Sequence, residues 1–354
     1  AVSGGTACGT PDMPRRQRLC PRGPSRGLAR SLVFCVRHVM VTRRPRVRQR
    51  RPRSVLMLLR GLRSVCAVPR QVRAVHACAV RLSAGAARAE QSMQRFWKDV
   101  HLAFETPSNG DDEHFVVQLD RRNLRTPGGA KLAIPADRPL LACLIAQEWD
   151  EQTQLIKPHS LPLTSLMSRA IDALQDDERG RKEVQDYLMR YLDTDTVCFF
   201  DKEPARLVQL QKERWTPLLE WTRRLLDADV HTATGTLVCR QPDATRAKVE
   251  RLVAGLPPLD LASLERAVMV SKSMIIGLAL IHRYIEAEQA ALAAEVETAS
   301  QVAAWGVIDD SHDVDHAELR RQLASVACAQ VSTEPELVEK FLQVLKKHDG
   351  AFRT

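Results

Sequence analysis

The sequence lacks the short motifs and long apolar runs that most often disclose what a chain does. It contains neither the GxxxxGK[ST] loop of nucleotide-binding proteins nor the GxGxxG turn of dinucleotide-binding proteins, and residues 90–354 contain no GxSxG nucleophile elbow. Its most apolar run, residues 274–281, is far shorter than the roughly 20 residues that span a bilayer. These absences argue against nucleotide-dependent enzymes, serine hydrolases and membrane insertion, and predict a soluble protein.

Cysteines with metal-binding or redox spacing are absent as well. Residues 90–354 contain four cysteines, and their spacings are too wide for a CxxC pair or a zinc knuckle. We therefore expect free thiols in a reducing compartment, with no metal and no cofactor. The nine cysteines of the whole chain are Cys8, Cys20, Cys35, Cys66, Cys78, Cys143, Cys198, Cys239 and Cys328.

Acidic residues are almost missing from the first quarter of the chain. Residues 1–89 contain 20 Arg, no Lys and one acid, which gives them a net charge of +19. Because the whole chain has a net charge of +9, residues 90–354 have a net charge of −10. An Arg-rich, acid-poor leader predicts a mitochondrial transit peptide, with translation starting at Met57 or Met40. An RNA-binding arm is the competing interpretation, but Phe34 is the only aromatic residue available there to stack on bases.

The remaining sequence changes from β-prone to helical along its length. Residues 114–135 alternate short apolar runs with turn-like "DRRN" and "TPGG", which predicts an antiparallel meander, and helical periodicity follows from Asp137. The predicted fold class is α+β: a small β-rich N-terminal domain packed with helices, then an all-helical, orthogonal bundle-like domain. The predicted divisions are 1–90 (transit peptide and upstream leader), 91–180 (α+β domain), 181–330 (helical domain) and 331–354 (helical tail).

Two stretches of the helical part predict long helices. Apolar and small residues from Leu261 to Ile285 recur at steps of three and four, which predicts one continuous buried helix. The following stretch, residues 286–306, predicts another helix that ends at Gly306, a residue suited to a helix C-terminus.

The polar stretch of residues 148–172 invites a catalytic interpretation. Glu148 and Glu151 can share a helix face, and His159 follows in a connector bracketed by Pro158 and Pro162. A hydrolase would need the carboxylates and the histidine to converge in a cleft. The prolines favour an extended connector, in which His159 has a packing or capping role, and the hydrolase remains the alternative.

Two further clusters could ligate cations. "DTDT" at residues 193–196 offers two carboxylates but lacks the other oxygens of a calcium loop. "SHDVDH" at residues 311–316 places His312 and His316 four residues apart, a spacing that zinc can use on a helix. The polarity of "SHDVDH" favours a surface connector in which Asp315 caps the next helix. For "DTDT", a role at a helix C-terminus is favoured over a cation site.

An ordered set of segments resembles a known family, the mitochondrial F-type ATP synthase assembly factors that chaperone the alpha subunit. The resemblance covers about residues 94–325, although Arg121 stands where members usually have Gly. The segments that carry it are "RFWKDV", "LDRRNLRTPGG", "AQEWDEQ", "IKPHSLPLTSLMSRAID", "YLDTDTVCFF", "EPARLVQLQKERWTPLLEW" and "ETASQVAAWG".

The resemblance implies a non-enzymatic, monomeric protein of the mitochondrial matrix. Members bind the unassembled alpha subunit, prevent its aggregation and deliver it to the beta subunit, with no nucleic acid and no membrane insertion. An acid on the helix before the Trp-Gly pair is implicated, for which Glu297 is the best match and Glu295 the competitor. Gln301 and Trp305 complete the predicted partner-binding set, although the size of Trp305 favours a place in the core.

Overall fold

The computed structural model describes residues 94–106, 112–235, 239–347 and 350. The predicted transit peptide and both candidate start sites lie outside these residues. A four-stranded antiparallel sheet begins the described chain. Its strands are β1 (Val100–Glu105), β2 (His114–Leu119), β3 (Arg122–Asn123) and β4 (Ala133–Pro135).

Three strands of the sheet, β2 to β4, lie within residues 114–135, where the sequence predicts an antiparallel meander, and β1 is a fourth strand that was not predicted. β2 is central and pairs with β1 in a register that sets Leu102 opposite Val117, while β3 and β4 pair with the other side of β2. Leu102 and Val117 are buried on one face because side chains alternate across a strand. Between β2 and β3, Asp120 and Arg121 both have positive φ (47° and 66°), so the tight turn forms with an arginine in a conformation that favours glycine.

Twelve α-helices lie within the described residues, with a second, two-stranded parallel sheet (Phe199–Phe200 with Ala233–Thr234) between them. Several begin at residues suited to helix starts: Pro139 and Pro162 occupy first turns, and the Asp177 side chain accepts a hydrogen bond from the Gly180 N–H. The helices are α1 (Pro139–Asp150), α2 (Pro162–Ala170), α3 (Glu178–Tyr191), α4 (Ala205–Arg214), α5 (Thr216–Leu226), α6 (Asp243–Ala254), α7 (Pro258–Ser271), α8 (Met274–Ile281), α9 (Ala287–Ala294), α10 (Val296–Trp305), α11 (His312–Ala329) and α12 (Pro335–Lys347).

The prediction of one helix from Leu261 to Ile285 is wrong. α7 ends where Lys272 takes a left-handed conformation (φ 59°), and α8 restarts after Ser273, whose hydroxyl oxygen accepts the Ile276 N–H. α8 then folds back on α7, with Gly277 against the Val268 side chain. The second predicted helix is also divided, since α9 and α10 meet at Glu295, although α10 does end at Gly306.

One continuous hydrophobic core extends from the sheet through the helices. α12, predicted as a separate tail, returns to the sheet: the Phe341 ring lies 5.7 Å from the Phe115 ring, and the Leu102 N–H donates to the Gly350 carbonyl at 2.9 Å. The α+β fold class is confirmed, while the division at residue 180 stays a prediction. No helix in the described part of the chain is long and apolar enough to cross a membrane.

Candidate partner-binding surface at the α10–α11 corner

The polar stretch of residues 148–172 builds structure. The Glu148 carboxylate accepts the N–H groups of Leu163 and Thr164 at 2.7 and 2.9 Å and the Thr164 hydroxyl at 2.7 Å, so it caps the start of α2. Burial raises the Glu148 pKa, against these hydrogen bonds, which lower it. Glu151 accepts from Gln147 and His159 is exposed. No hydrogen bond or ion pair among the described residues joins any two of these three candidates.

The "DTDT" cluster also has structural partners. The fully buried Asp195 accepts the Val197 N–H at 3.0 Å and the Ile275 N–H at 2.9 Å, and thereby caps α8. Burial raises its pKa to about 6, while hydrogen bonds to the carboxylate act in the opposite direction. Asp193 forms an ion pair with Arg246.

The two histidines of "SHDVDH" face different partners. His312 Nδ1 accepts the Ile308 N–H at 3.2 Å, and His316 Nδ1 lies 2.8 Å from a Glu295 carboxylate oxygen. α11 begins at His312, so Asp315 lies within its first turn and does not cap it. The described residues include no group of three or more His, Cys, Asp or Glu side chains placed to hold a metal ion.

The corner between α10 and α11 exposes large apolar side chains. The prediction of a buried Trp305 is wrong, because 82% of this residue is exposed. Val307, Ile308 and Val314 follow within ten residues and are 61%, 62% and 58% exposed. We call these four residues the corner patch. Gly306, at φ 87°, ends α10 and turns the chain away directly after Trp305.

The structure separates the two candidate acids. Glu295 contacts His316 through one carboxylate oxygen and the Arg320 guanidinium, at 3.0 Å, through the other. Arg320 also makes two 2.8 Å hydrogen bonds to Glu288, a pairing that lowers the Glu288 pKa. This network joins α9, α10 and α11 and fixes the corner. Glu297 is exposed, and its side chain makes no hydrogen bond or ion pair with another described residue.

Three of the predicted site residues follow one side of α10. Glu297, Gln301 and Trp305 are all exposed and are spaced by four residues, which places them along about 12 Å of the helix. The stripe ends in the corner patch, whose other members sequence reasoning missed. A weak signal was present, since "VI" directly follows a glycine helix end within an otherwise polar connector.

Exposed apolar groups that cluster and are rimmed by polar residues mark protein-interaction sites. Single exposed apolar side chains are ordinary, but the corner patch unites a tryptophan with three branched residues in one short segment. Tryptophan is enriched among the residues that contribute most to binding energy at interfaces. The arrangement can therefore bury apolar surface against a partner, while Glu297 and Gln301 supply polar contacts at its edge.

Comparison with known proteins gives consistent results. The sequence model of the ATP12 chaperone protein family matches residues 94–223. "Protein atp12, mitochondrial" of Schizosaccharomyces pombe is 34% identical over 245 residues, covering 67% of this chain and 82% of the relative. "Protein ATP12, mitochondrial" of Saccharomyces cerevisiae is 32% identical over 285 residues, covering 68% of this chain and 85% of the relative.

Solved structures with the same fold include Atp12 from Paracoccus denitrificans. That crystal structure matches with a TM-score of 0.56 and 29% identity, and the match covers 68% of this chain and 97% of the bacterial one. The Atu1473 protein of Agrobacterium tumefaciens matches with a TM-score of 0.58 and 26% identity, over 67% of this chain and 84% of its own.

Proposed function

The chain belongs to the ATP12 chaperone family, and from that premise we propose that it is an assembly chaperone of mitochondrial F-type ATP synthase. It binds the unassembled alpha subunit, prevents its aggregation and delivers it for assembly with the beta subunit. The observation that carries this proposal is the exposed corner patch around Trp305.

The physical argument concerns the surface that a ring-forming subunit exposes before assembly. Such a surface is apolar at its centre, because the buried centres of obligate subunit interfaces are more apolar than the rest of a protein surface. A chaperone must cover this surface and later release it. A compact apolar patch with a polar edge suits that task, since it gains binding energy from one or two anchor side chains and leaves the partner displaceable.

We place the partner-binding site along the exposed side of α10 and at the corner patch. Trp305 is its apolar anchor, and Glu297 and Gln301 are its polar edge. Glu295, the competing acid, positions the corner through Arg320 and His316 and does not contact the partner. Its side chain is only 16% exposed, in agreement with this supporting role.

We also propose that the protein acts as a monomer in the mitochondrial matrix and has no catalytic activity. The fungal relatives carry "mitochondrial" in their names, and the Arg-rich residues 1–90 have the composition of a transit peptide. Glu148, which invited a hydrolase interpretation, and Asp195, which invited a cation-site interpretation, both serve as helix caps, which supports binding over chemistry.

The test measures aggregation of the cognate alpha subunit after dilution from denaturant, by light scattering, with increasing amounts of the full chain. The wild-type chain should suppress aggregation and co-purify with the subunit. Trp305→Ala should raise the concentration needed for half-suppression by about 10- to 30-fold, the usual effect of truncating an aromatic anchor. Because Trp305 is exposed, the circular dichroism spectrum should not change.

Phe96→Ala is the matched control, because Phe96 is another exposed aromatic residue (67%) on a different part of the chain. This variant should suppress aggregation as well as the wild type does. If the folded wild-type chain leaves the alpha subunit aggregated and unbound, the proposed function fails. If the wild-type chain suppresses aggregation and Trp305→Ala suppresses it equally well, the corner patch is not the site.

A further inference from the structure

The corner patch lies in a long stretch of sequence that has no positive charge from lysine or arginine. Residues 284–319 contain neither residue and hold nine carboxylates. In most of residues 90–354 the two signs are interspersed, as is usual for a protein surface, although the shorter stretch of residues 99–120 also holds six acids and no Lys or Arg. The nine acids are Glu286, Glu288, Glu295, Glu297, Asp309, Asp310, Asp313, Asp315 and Glu318.

Four of the nine acids have partners within the fold. Glu288 and Glu295 bind Arg320, and Glu318 binds Arg321. The Glu286 side chain caps α9. These carboxylates are neutralised or engaged, and Glu288 and Glu295 hold the corner together through Arg320.

The other five acids are exposed and have no hydrogen-bonding side-chain partner or ion pair among the described residues. Asp313 and Asp315 lie in the first turn of α11, where negative charge stabilises a helix N-terminus. Glu297 begins the stripe that leads to Trp305, and Asp309 and Asp310 directly follow Ile308. Asp309 and Asp310 therefore adjoin the corner patch and Glu297 lies about two helical turns before it, and none of the three has a charge partner among the described residues.

We propose that the corner patch selects an apolar segment flanked by lysine or arginine. This inference rests on the proposed function and specifies its substrate: the occupant is an interface segment of the unassembled alpha subunit in which basic residues adjoin the apolar ones. Apolar contact with Trp305 supplies the affinity, and the bordering carboxylates supply the selection.

The selection follows from complementary charge. Charges at the rim of an interface steer the encounter and disfavour like-charged partners more than they add affinity. At physiological salt the screening length is about 8 Å, so carboxylates that lie close to a docked segment still act on its charges. Unassembled segments that carry acids are repelled, so the chaperone avoids apolar surfaces of the wrong sign.

The experiment uses the full chain and two fluorescently labelled synthetic peptides with the same Leu and Val residues. One peptide carries Lys at every flanking position and the other carries Glu. Fluorescence anisotropy should show about tenfold or tighter binding of the Lys peptide, since several exposed charge pairs each contribute a small factor. Near 1 M salt, where the screening length is about 3 Å, the preference should disappear.

The diagnostic variant is Glu297→Gln/Asp309→Asn/Asp310→Asn, which removes three charges without changing side-chain shape. It should reduce the preference for the Lys peptide to about threefold or less. The matched control, Glu220→Gln/Glu336→Gln/Glu339→Gln, removes three exposed charges on α5 and α12 and should keep the full preference. Trp305→Ala should weaken the binding of both peptides.

Any of three results would overturn the proposal. They are equal binding of the Lys and Glu peptides by the wild type, an undiminished preference for the Lys peptide in the diagnostic variant, and undiminished peptide binding by Trp305→Ala. These outcomes are distinct from failure of the proposed function. If the chain suppresses alpha-subunit aggregation but binds both peptides equally, the proposed function stands and the proposed charge selection is refuted. If the chain prefers the Lys peptide but leaves the alpha subunit aggregated, the charge selection stands and the proposed alpha-subunit partner is refuted.

Discussion

Glu148 and Asp195 each connect parts of the chain that are distant in sequence, because each carboxylate accepts backbone N–H groups at the start of a helix. Asp195 reaches α8 across 80 residues. The first N–H groups of a helix have no partner within it, so a buried helix start needs acceptors from elsewhere. In α8, where every residue is buried, Asp195 and Ser273 provide them.

Asp195→Asn should therefore lower the free energy of unfolding by about 1–3 kcal/mol at neutral pH, since the amide NH₂ would face a backbone N–H donor. The loss should be larger near pH 4. The folded-state pKa of Asp195, about 6, lies above the ordinary 3.8, so its contribution is fully present below that value and is lost as pH rises through 6. Urea unfolding of the wild type and of Asp195→Asn at about pH 4 and pH 7 measures the difference between their free energies of unfolding at each pH.

The difference between wild type and variant isolates this group from carboxylates such as Glu105 and Glu318, whose lowered pKa values change stability in the opposite direction. A gap that widens as pH rises would show that hydrogen bonding outweighs burial at Asp195 and that the carboxylate is held in its charged form.

α7 and α8 are separate helices, although the apolar periodicity of the sequence continues through both. Both halves keep the same apolar periodicity, yet the chain reverses at Lys272. The reversal brings two apolar helices into contact. It requires a small residue at the closest approach, because a Cβ added to Gly277 would lie 2.8 Å from Val268 Cγ2 and 3.0 Å from Leu264 Cδ1.

Gly277→Ala should lower the free energy of unfolding by about 1–2 kcal/mol. Steric overlap in a packed core costs roughly 1–3 kcal/mol, and the better helix propensity of alanine recovers up to about 1 kcal/mol of it. Gly255→Ala is the control, because its Cβ would meet only ordinary contacts of 3.5 Å or more. The control should be neutral or slightly stabilising in urea unfolding. Equal effects at the two glycines would contradict the close packing of α7 and α8.

At the scale of the whole molecule, the sheet and the helices share one core. The chain closes on itself, since α12 brings Phe341 to Phe115 and Gly350 to the backbone of Leu102. The C-terminal helix is thus a structural part of the sheet region, from which it is separated by more than 200 positions in the sequence. A core without a break favours cooperative unfolding.

Hydrogen exchange with increasing urea should therefore show that β2 and α8 lose protection at the same denaturant concentration. The two elements lie on opposite sides of the predicted division at residue 180, and both contribute fully buried residues to the core. Loss of protection at clearly different urea concentrations would contradict this expectation and support two independently folding domains.

Much of the fold was predictable because its signals are local. The short apolar runs and turn residues of residues 114–135 and the helical periodicity that follows Asp137 act within one turn or one strand pair. The stripe of Glu297, Gln301 and Trp305 on α10 was predicted as a binding site only through the family resemblance. The corner patch was missed because an apolar residue in a connector has the same local pattern whether it faces a core or solvent.

The sequence by itself determined the α+β class and most helix positions through short-range periodicity, and the acidic character of the α10–α11 segment through composition. The family followed from the resemblance of an ordered set of segments. Only the tertiary structure decided that α7 and α8 are separate, that Glu148 and Asp195 cap helices, and that Trp305 faces outward. The physical reason is that hydrogen-bond acceptors and burial are supplied by distant parts of the chain. A polar segment that looks catalytic in sequence supplies a helix cap through Glu148, and a tryptophan that looks like core is exposed at the surface.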